Sequence, residues 1–296
     1  MHEDQVDVTT DMVAVLIQEQ FPQWSGRRIR FLQSTGTDNA IFRIGNDLAA
    51  RFPLRPADAA DALAVLRREA RAGAELARVS PFPVPEPVAL GDPGAGYPMP
   101  WSVQTWLTGT VASDADPGGS DAFAEDLATF IAALRQADTR GRQFGGAGRG
   151  GVLTHHDDWM AKCFEESEEL LDVDRLRRMW SRLRDLPRTG ADVMNHGDLI
   201  PGNILVTGDR LGGVLDTGGF APADPALDLV GAWHLLQRGP RKVLREALGC
   251  DDLEWERGKA WAFQQAMGLV WYYVDSNPAM SRMGRRTLDR LLESTE

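Results

Sequence analysis

Asp198 and Asn203 stand five residues apart in the stretch His196-Gly-Asp198-Leu-Ile-Pro-Gly-Asn203-Ile-Leu-Val206, and Asp216 closes a second apolar run, Val214-Leu215. An Asp beside a hydroxyl can orient it and take its proton. An Asn and a second Asp can share a Mg²⁺ ion on the phosphates of a nucleotide, so the three residues together are the parts of a phosphoryl-transfer site. Taken singly, His-Gly-Asp and Pro-Gly-Asn are ordinary turns; the combination carries the chemistry.

The local elements that must hold these groups are a loop and a hairpin. Pro201 and Gly202 break any helix between Asp198 and Asn203, and Ile204-Leu-Val and Val214-Leu are short β-compatible runs separated by the turn Thr207-Gly-Asp-Arg. Such a hairpin brings Asn203 and Asp216 toward one ion. Mg²⁺ favours one or two protein oxygens when phosphate and water supply the rest.

With Asp224-Pro-Ala-x-Asp228-Leu following Leu215-Asp216, the chain resembles the aminoglycoside phosphotransferase-like family of small-molecule kinases, which includes macrolide kinases and is related to choline and homoserine-type kinases. The likeness extends to Gly36-Thr-Asp-Asn-Ala-Ile-Phe-Arg-Ile, Ala50-Arg51-Phe-Pro, Val84-Pro-Glu-Pro and Pro100-Trp-Ser, and so covers most of the chain. It implies an α+β, bilobal protein-kinase-like fold with a small antiparallel-sheet nucleotide-binding lobe, residues 1–105, and a larger, mainly helical catalytic and acceptor-binding lobe, residues 106–296. The implied reaction is Mg²⁺-dependent transfer of the γ-phosphoryl of ATP or GTP to a hydroxyl of an antibiotic, an aminoglycoside first. A macrolide or metabolite kinase, or a catalytically silent nucleotide-binding module, are the alternatives.

Residue by residue, the resemblance makes Asp198 the catalytic base, His196 the brace of its loop, and Asn203 and Asp216 the metal ligands. Ser34, Thr35 and Thr37 fall in the nucleotide-covering loop, although one Gly stands there where protein kinases have three. Arg51 takes the place of the phosphate-contacting lysine, with Glu69 as its partner, and the Thr105 carbonyl and Leu107 N–H meet the purine edge. Thr217-Gly218-Gly219 replaces the aromatic and Gly that follow the metal-binding Asp in protein kinases, so no activation loop is predicted. Asp224 and Asp228 read as supports for the catalytic loop, Asp224 equally as a helix cap. Candidate acceptor contacts are Asp157, Asp158, Glu165, Glu166, Asp228, Tyr273 and Asp275; Asp157 or Asp158 also reads as a helix cap, and Glu165-Glu166 as a solvated face.

Behind these residues, apolar spacing predicts a helix from Asp11 to Phe21 capped by Thr10 or Asp11, then three β-runs at 29–32, 40–44 and 48–52 forming an antiparallel meander. A long helix over about 58–79 carries Glu69 beside its apolar stripe, and a second at 120–138 buries Phe123, Leu127, Phe130, Ile131 and Leu134 as scaffold. Gly146-Ala-Gly148-Arg-Gly-Gly151 matches G-x-G-x-x-G, but no strand leads into it and no helix follows at once; a flexible or substrate-side loop fits better. His155-His156-Asp157-Asp158 lacks the spacing of a zinc site. The aromatic residues between Glu254 and Pro278 read mainly as core.

A formal charge of −11 disfavours a nucleic-acid partner and suits a cationic acceptor, or serves solubility alone. Two cysteines, Cys163 and Cys250, suggest reduced thiols in a cytoplasm. The acidic start at Met1 does not read as a secretory signal, and no window of about 18 apolar residues predicts a spanning helix.

Overall fold

The computed structural model describes residues 5–32, 39–188 and 190–293. The fold is α+β and divides into two compact units, residues 1–78 with 83–108, and residues 79–82 with 109–296.

In the first unit, helix α1 (Thr10–Gln20) precedes strands β1 (Ile29–Leu32), β2 (Asn39–Ile44) and β3 (Leu48–Pro53), helix α2 (Ala59–Val79), and strands β4 (Pro87–Gly91) and β5 (Trp101–Thr105). The strands form one antiparallel sheet in the order β1-β2-β3-β5-β4. The α1 cap is Thr9, whose hydroxyl accepts from the Met12 N–H at 3.2 Å; the cap therefore sits one residue ahead of Thr10. Alternation along β2 buries Ala40, Phe42 and Ile44, which join Val13, Leu16 and Ile17 of α1 in one apolar core. Phe52 and Trp101 stack there at 4.8 Å. A Cβ on Gly91 would fall 2.1 Å from the Trp101 indole, so only glycine lets β4 run beneath that ring.

The second unit opens with β6 (Thr110–Val111), α3 (Ala112–Ala115) and α4 (Asp121–Gln136). Helices α5 (Asp157–Glu166) and α6 (Val173–Leu183) follow, then strands β7 (Val193–Asn195), β8 (Ile204–Thr207), β9 (Arg210–Val214) and β10 (Ala221–Ala223). Helices α7 (Val230–Leu235), α8 (Arg238–Leu248), α9 (Asp252–Tyr272) and α10 (Pro278–Glu293) complete it. The predicted stripe of α4 is buried, and Ser120 caps the helix by accepting from Phe123 N–H at 3.1 Å. Asp157 and Asp158 are the first residues of α5 and not its cap. The Asp157 carboxylate instead accepts from Arg184 Nε at 2.8 Å and Trp180 Nε1 at 3.0 Å, which ties α5 to α6.

Helix α9 is buried nearly all round, including Arg257, Gln264 and Gln265. Polar groups in that position are costly unless partnered. Arg257 forms an ion pair with Asp224, at the exit of β10, donating through Nε at 2.9 Å and through Nη2. Trp261 Nε1 donates to the same carboxylate oxygen at 3.0 Å and Ala226 N–H to the other at 3.0 Å, while Arg257 Nη2 also meets the Gly151 carbonyl at 3.4 Å. Removing one partner strands a charge in the core, so Arg257→Ala should lower unfolding free energy by about 3–5 kcal/mol in denaturant titration. A loss below about 1 kcal/mol would mean that water reaches Asp224 and that the pair is not a buried one.

Candidate active site

The loop after β7 is shaped by a carboxylate beneath it. Asp228 Oδ2 accepts from the His196 N–H and Oδ1 from the Gly197 N–H, both at 2.8 Å, and the side chain is 1% exposed. Burial raises its carboxyl above the usual carboxylate range, opposed by these donors. This placement corrects the reading of Asp228 as an acceptor contact and agrees with its reading as a support for the loop, since the residue is buried and absent from the cavity lining. Gly197 takes φ +85°, where a Cβ would be strained.

His196 then links the loop to the neighbouring strand. Its Nε2–H donates to the Leu215 carbonyl at 2.8 Å, and Nδ1 accepts from the Asp198 N–H at 3.3 Å, which sets the tautomer. The β8–β9 register pairs Ile204 with Val214, and beyond it the Leu215 N–H donates to the Asn203 carbonyl at 2.7 Å. Asp216 follows in the left-handed region at φ 56°, which Asp tolerates better than most residues.

Three side chains converge on the Asp198 carboxylate. Oδ1 accepts from Arg149 Nη2 at 2.9 Å and Gln265 Nε2 at 2.6 Å, and Oδ2 accepts from Asn203 Nδ2 at 2.9 Å. Among the described residues this fills both lone pairs of Oδ1 and one of Oδ2, leaving a single position on Oδ2 for a hydroxyl. Asn203 Nδ2 also donates to the Asp198 backbone carbonyl at 3.0 Å. With the amide nitrogen so committed, Asn203 Oδ1 is the atom available to a cation. That oxygen and the exposed Asp216 carboxylate fit Mg²⁺ sharing its shell with phosphate and water. No group of three or more His, Cys, Asp or Glu is placed to hold a metal by itself among the described residues.

A cavity of about 900 Å³ opens over this loop within the second unit, lined by Asp198, Asp216 and His196 and walled by Trp159, Tyr272 and Tyr273. Of the candidate acceptor residues only Tyr273 reaches it. Asp157 is engaged by Arg184, and Asp158, Glu165, Glu166 and Asp275 are exposed and absent from the lining. In the first unit, Arg51 lies half-buried on β3 opposite Ser102 of β5, and Glu69 lies half-buried on α2. Thr105 closes β5 with its N–H on the Glu86 carbonyl at 2.9 Å, and half-buried Leu107 follows it. Ser34, Thr35 and Thr37 lie outside the described residues.

The residues the sequence reading missed are Arg149, Gln265 and His234. Arg149 lies in the glycine run set aside as a dinucleotide motif, and the run matters through backbone freedom. Gly150 takes φ +109° and a Cβ there would sit 2.6 Å from Ala223, while its carbonyl accepts from the Asp224 N–H at 2.8 Å. His156, also in the lining, is held below the ordinary histidine range by burial, then by Arg149 and His155. His234, on α7, is 4% exposed, with Nδ1 2.9 Å from Thr287 Oγ1 and Nε2 3.1 Å from Gln265 Oε1.

The model of the phosphotransferase enzyme family matches residues 28–261. Among solved structures, the GDP complex of wild-type aminoglycoside 2'-phosphotransferase-IIIa is 18% identical, with a TM-score of 0.71 over 97% of this chain and 100% of that one. A GDP and kanamycin complex of a related aminoglycoside enzyme is 19% identical, with a TM-score of 0.71 over 96% and 99%. A macrolide 2'-phosphotransferase from Brachybacterium faecium is 20% identical, with a TM-score of 0.62 over 94% and 98%. No curated protein matches the chain. The solved structures share the fold, which is the kinase-like one the sequence resemblance implied.

The environment of His234 makes stability depend on pH. Burial pushes its imidazole down to about 4 from 6.5, with Gln265 and Asp198 pulling it up and Arg149 and Arg290 pushing it down. Between those two values the unfolded chain binds the proton and the folded chain does not, so stability falls as pH drops from 6.5 toward 4. Denaturant titrations at pH 7.5 and 5 should show parent losing roughly 2 kcal/mol more than His234→Gln. Equal losses in the two proteins would remove His234 as the cause.

Proposed function

Because the chain belongs to the phosphotransferase enzyme family, we propose that it transfers the γ-phosphoryl group of ATP or GTP to a hydroxyl of a small molecule, with Asp198 as the base. The observation that carries this reading is the Asp198 carboxylate, fixed on the cavity lining by Arg149, Gln265 and Asn203 with one position left on Oδ2. A hydroxyl donating there is oriented for attack. As its oxygen bonds to the γ-phosphorus and the bond to the β-phosphate oxygen breaks, the hydroxyl proton passes to Asp198 and the nucleoside diphosphate leaves. His196 and Asp228 keep the loop from drifting during that step. When bound to Asn203 and Asp216, Mg²⁺ supplies neutralisation of phosphate charge. In the first unit, Arg51 binds phosphate oxygens with Glu69 as its partner, and the backbone of Thr105 and Leu107 receives the purine.

The acceptor is of the antibiotic type, and the lining bears on which kind. Asp198 and Asp216 are the carboxylates lining the cavity among the described residues, and the first is already paired with Arg149 at 2.9 Å. Trp159, Tyr272 and Tyr273 add aromatic side chains to the lining. Polycations are gathered by clustered carboxylates, so this wall favours the macrolide reading, or another ring-bearing acceptor of low charge, over the aminoglycoside one.

Nucleotide turnover should be measured with Mg²⁺ and ATP or GTP against aminoglycosides, macrolides and small hydroxyl metabolites. Turnover is expected with a low-charge acceptor, and Asp198→Ala should reduce it by at least roughly 100-fold while nucleotide affinity stays near parental. Retained turnover would take the base role from Asp198, and exclusive use of aminoglycosides would reverse the acceptor assignment.

A further inference from the structure

We propose that Gln265 is a positioning residue for Asp198, and that His234 and Thr287 fix its amide through a hydrogen-bond chain of single polarity. The catalytic consequence rests on the phosphotransfer reading; the chain itself does not.

Three buried side chains from three helices make the chain. Gln265 of α9 is 6% exposed, His234 of α7 4%, and Thr287 of α10 0%. The two ends of a glutamine amide have nearly the same shape, so its orientation is decided by partners. Asp198 Oδ1, at 2.6 Å, is an acceptor and must face Nε2. Gln265 Oε1 therefore faces His234 Nε2 at 3.1 Å, and that nitrogen must carry a proton. Burial keeps the imidazole neutral at pH 7, so Nδ1 is bare and accepts the Thr287 hydroxyl proton across 2.9 Å. The Met283 carbonyl, 3.0 Å from the same hydroxyl, is the competing acceptor, but using it would leave Nδ1 without a partner.

Every link thus donates toward the catalytic carboxylate. Turning the amide over would set its oxygen against Asp198 and its nitrogen against a protonated Nε2, both repulsive. The chain lets Gln265 hold Oδ1 without alternative orientations, and Arg149 takes the other lone pair of that oxygen at 2.9 Å. The carboxylate is left presenting Oδ2 to the acceptor. The Arg149 side chain is 26% exposed, whereas Gln265 is 6% exposed at the cavity wall and backed by His234 and Thr287.

The test compares the full-length parent with Gln265→Leu, His234→Phe, His234→Gln, Thr287→Val and the Gln265→Leu/His234→Phe double variant, using steady-state kinetics and ¹⁵N NMR of the histidine rings. Gln265→Leu should lower kcat roughly 10- to 100-fold with nucleotide KM unchanged. His234→Phe should lower it less, His234→Gln should recover part of that loss because its amide can again donate, and Thr287→Val should give the smallest fall. Acting in series, the double variant should be no worse than Gln265→Leu. In the parent, the ring signals lost in His234→Gln should report the Nε2–H tautomer at pH 7. A kcat for Gln265→Leu within about twofold of parent, multiplying losses in the double variant, or an Nδ1–H tautomer would each overturn the proposal. If His234→Phe fails to fold, Gln265→Leu and Thr287→Val decide it. Should the parent turn over no acceptor, the phosphotransfer reading fails, and the tautomer still decides the chain.

Discussion

Asp228 carries a carboxylate out of water and gives both of its oxygens to two consecutive peptide N–H groups, those of His196 and Gly197. An ionised carboxylate in that position is costly unless its lone pairs are met, and backbone donors cannot rotate away as side chains can. The loop must therefore follow the carboxylate. Once Gly197 has turned through its positive φ, Asp198 faces the cavity and the His196 ring spans from the Asp198 N–H to the Leu215 carbonyl. Asp198 and the segment that runs from β9 into Asp216 are thus set by one buried aspartate.

A second buried anion does similar work a few residues upstream. Asp224 is matched by Arg257 and Trp261 of α9, and its own N–H holds the Gly150 carbonyl, which fixes the glycine run from behind. With that anchor, Arg149 extends from the run to Asp198. Helix α9 contributes to both ends of the arrangement, Arg257 securing the loop and Gln265, two turns along the helix, holding Asp198. The helix is polar inside because the site is built against it.

The elements were legible wherever apolar periodicity was strong. The β2 alternation and the α4 stripe follow directly from residue types, because burying one face is the only arrangement that those spacings permit. The α1 cap fell one residue away, since Thr9 and Thr10 offer the same hydroxyl and backbone geometry chooses between them. The Asp198, Asn203 and Asp216 set was visible because its spacing is local. Arg149 and Gln265 reach the same carboxylate from 49 and 67 residues away, and nothing in their neighbours' types announces it. The acidic residues stayed open for the opposite reason. Glu165-Glu166 reads as a solvated face or a cation-binding rim and Asp275 as a pocket candidate, and a charge without a buried partner is most stable in water, where the fold leaves all three.

The cation beside Asp198 constrains what the cavity can recognise. At hydrogen-bond distance Arg149 compensates the carboxylate's charge, so beyond the immediate contact the pair acts as a dipole whose field falls off faster than that of a bare anion. An incoming polycation would gain little from Asp198 until it displaced the guanidinium, and in the proposed reaction Asp216 serves the nucleotide. Under the proposed function, selectivity would then come from area and shape, since Trp159, Tyr272 and Tyr273 in the lining reward an acceptor that buries surface. The hydroxyl that reaches Oδ2 in the proposed reaction would be chosen by how the rest of the molecule sits against those side chains. Regiochemistry would then follow from hydrophobic fit, with hydrogen bonding completing the alignment only after the acceptor is seated.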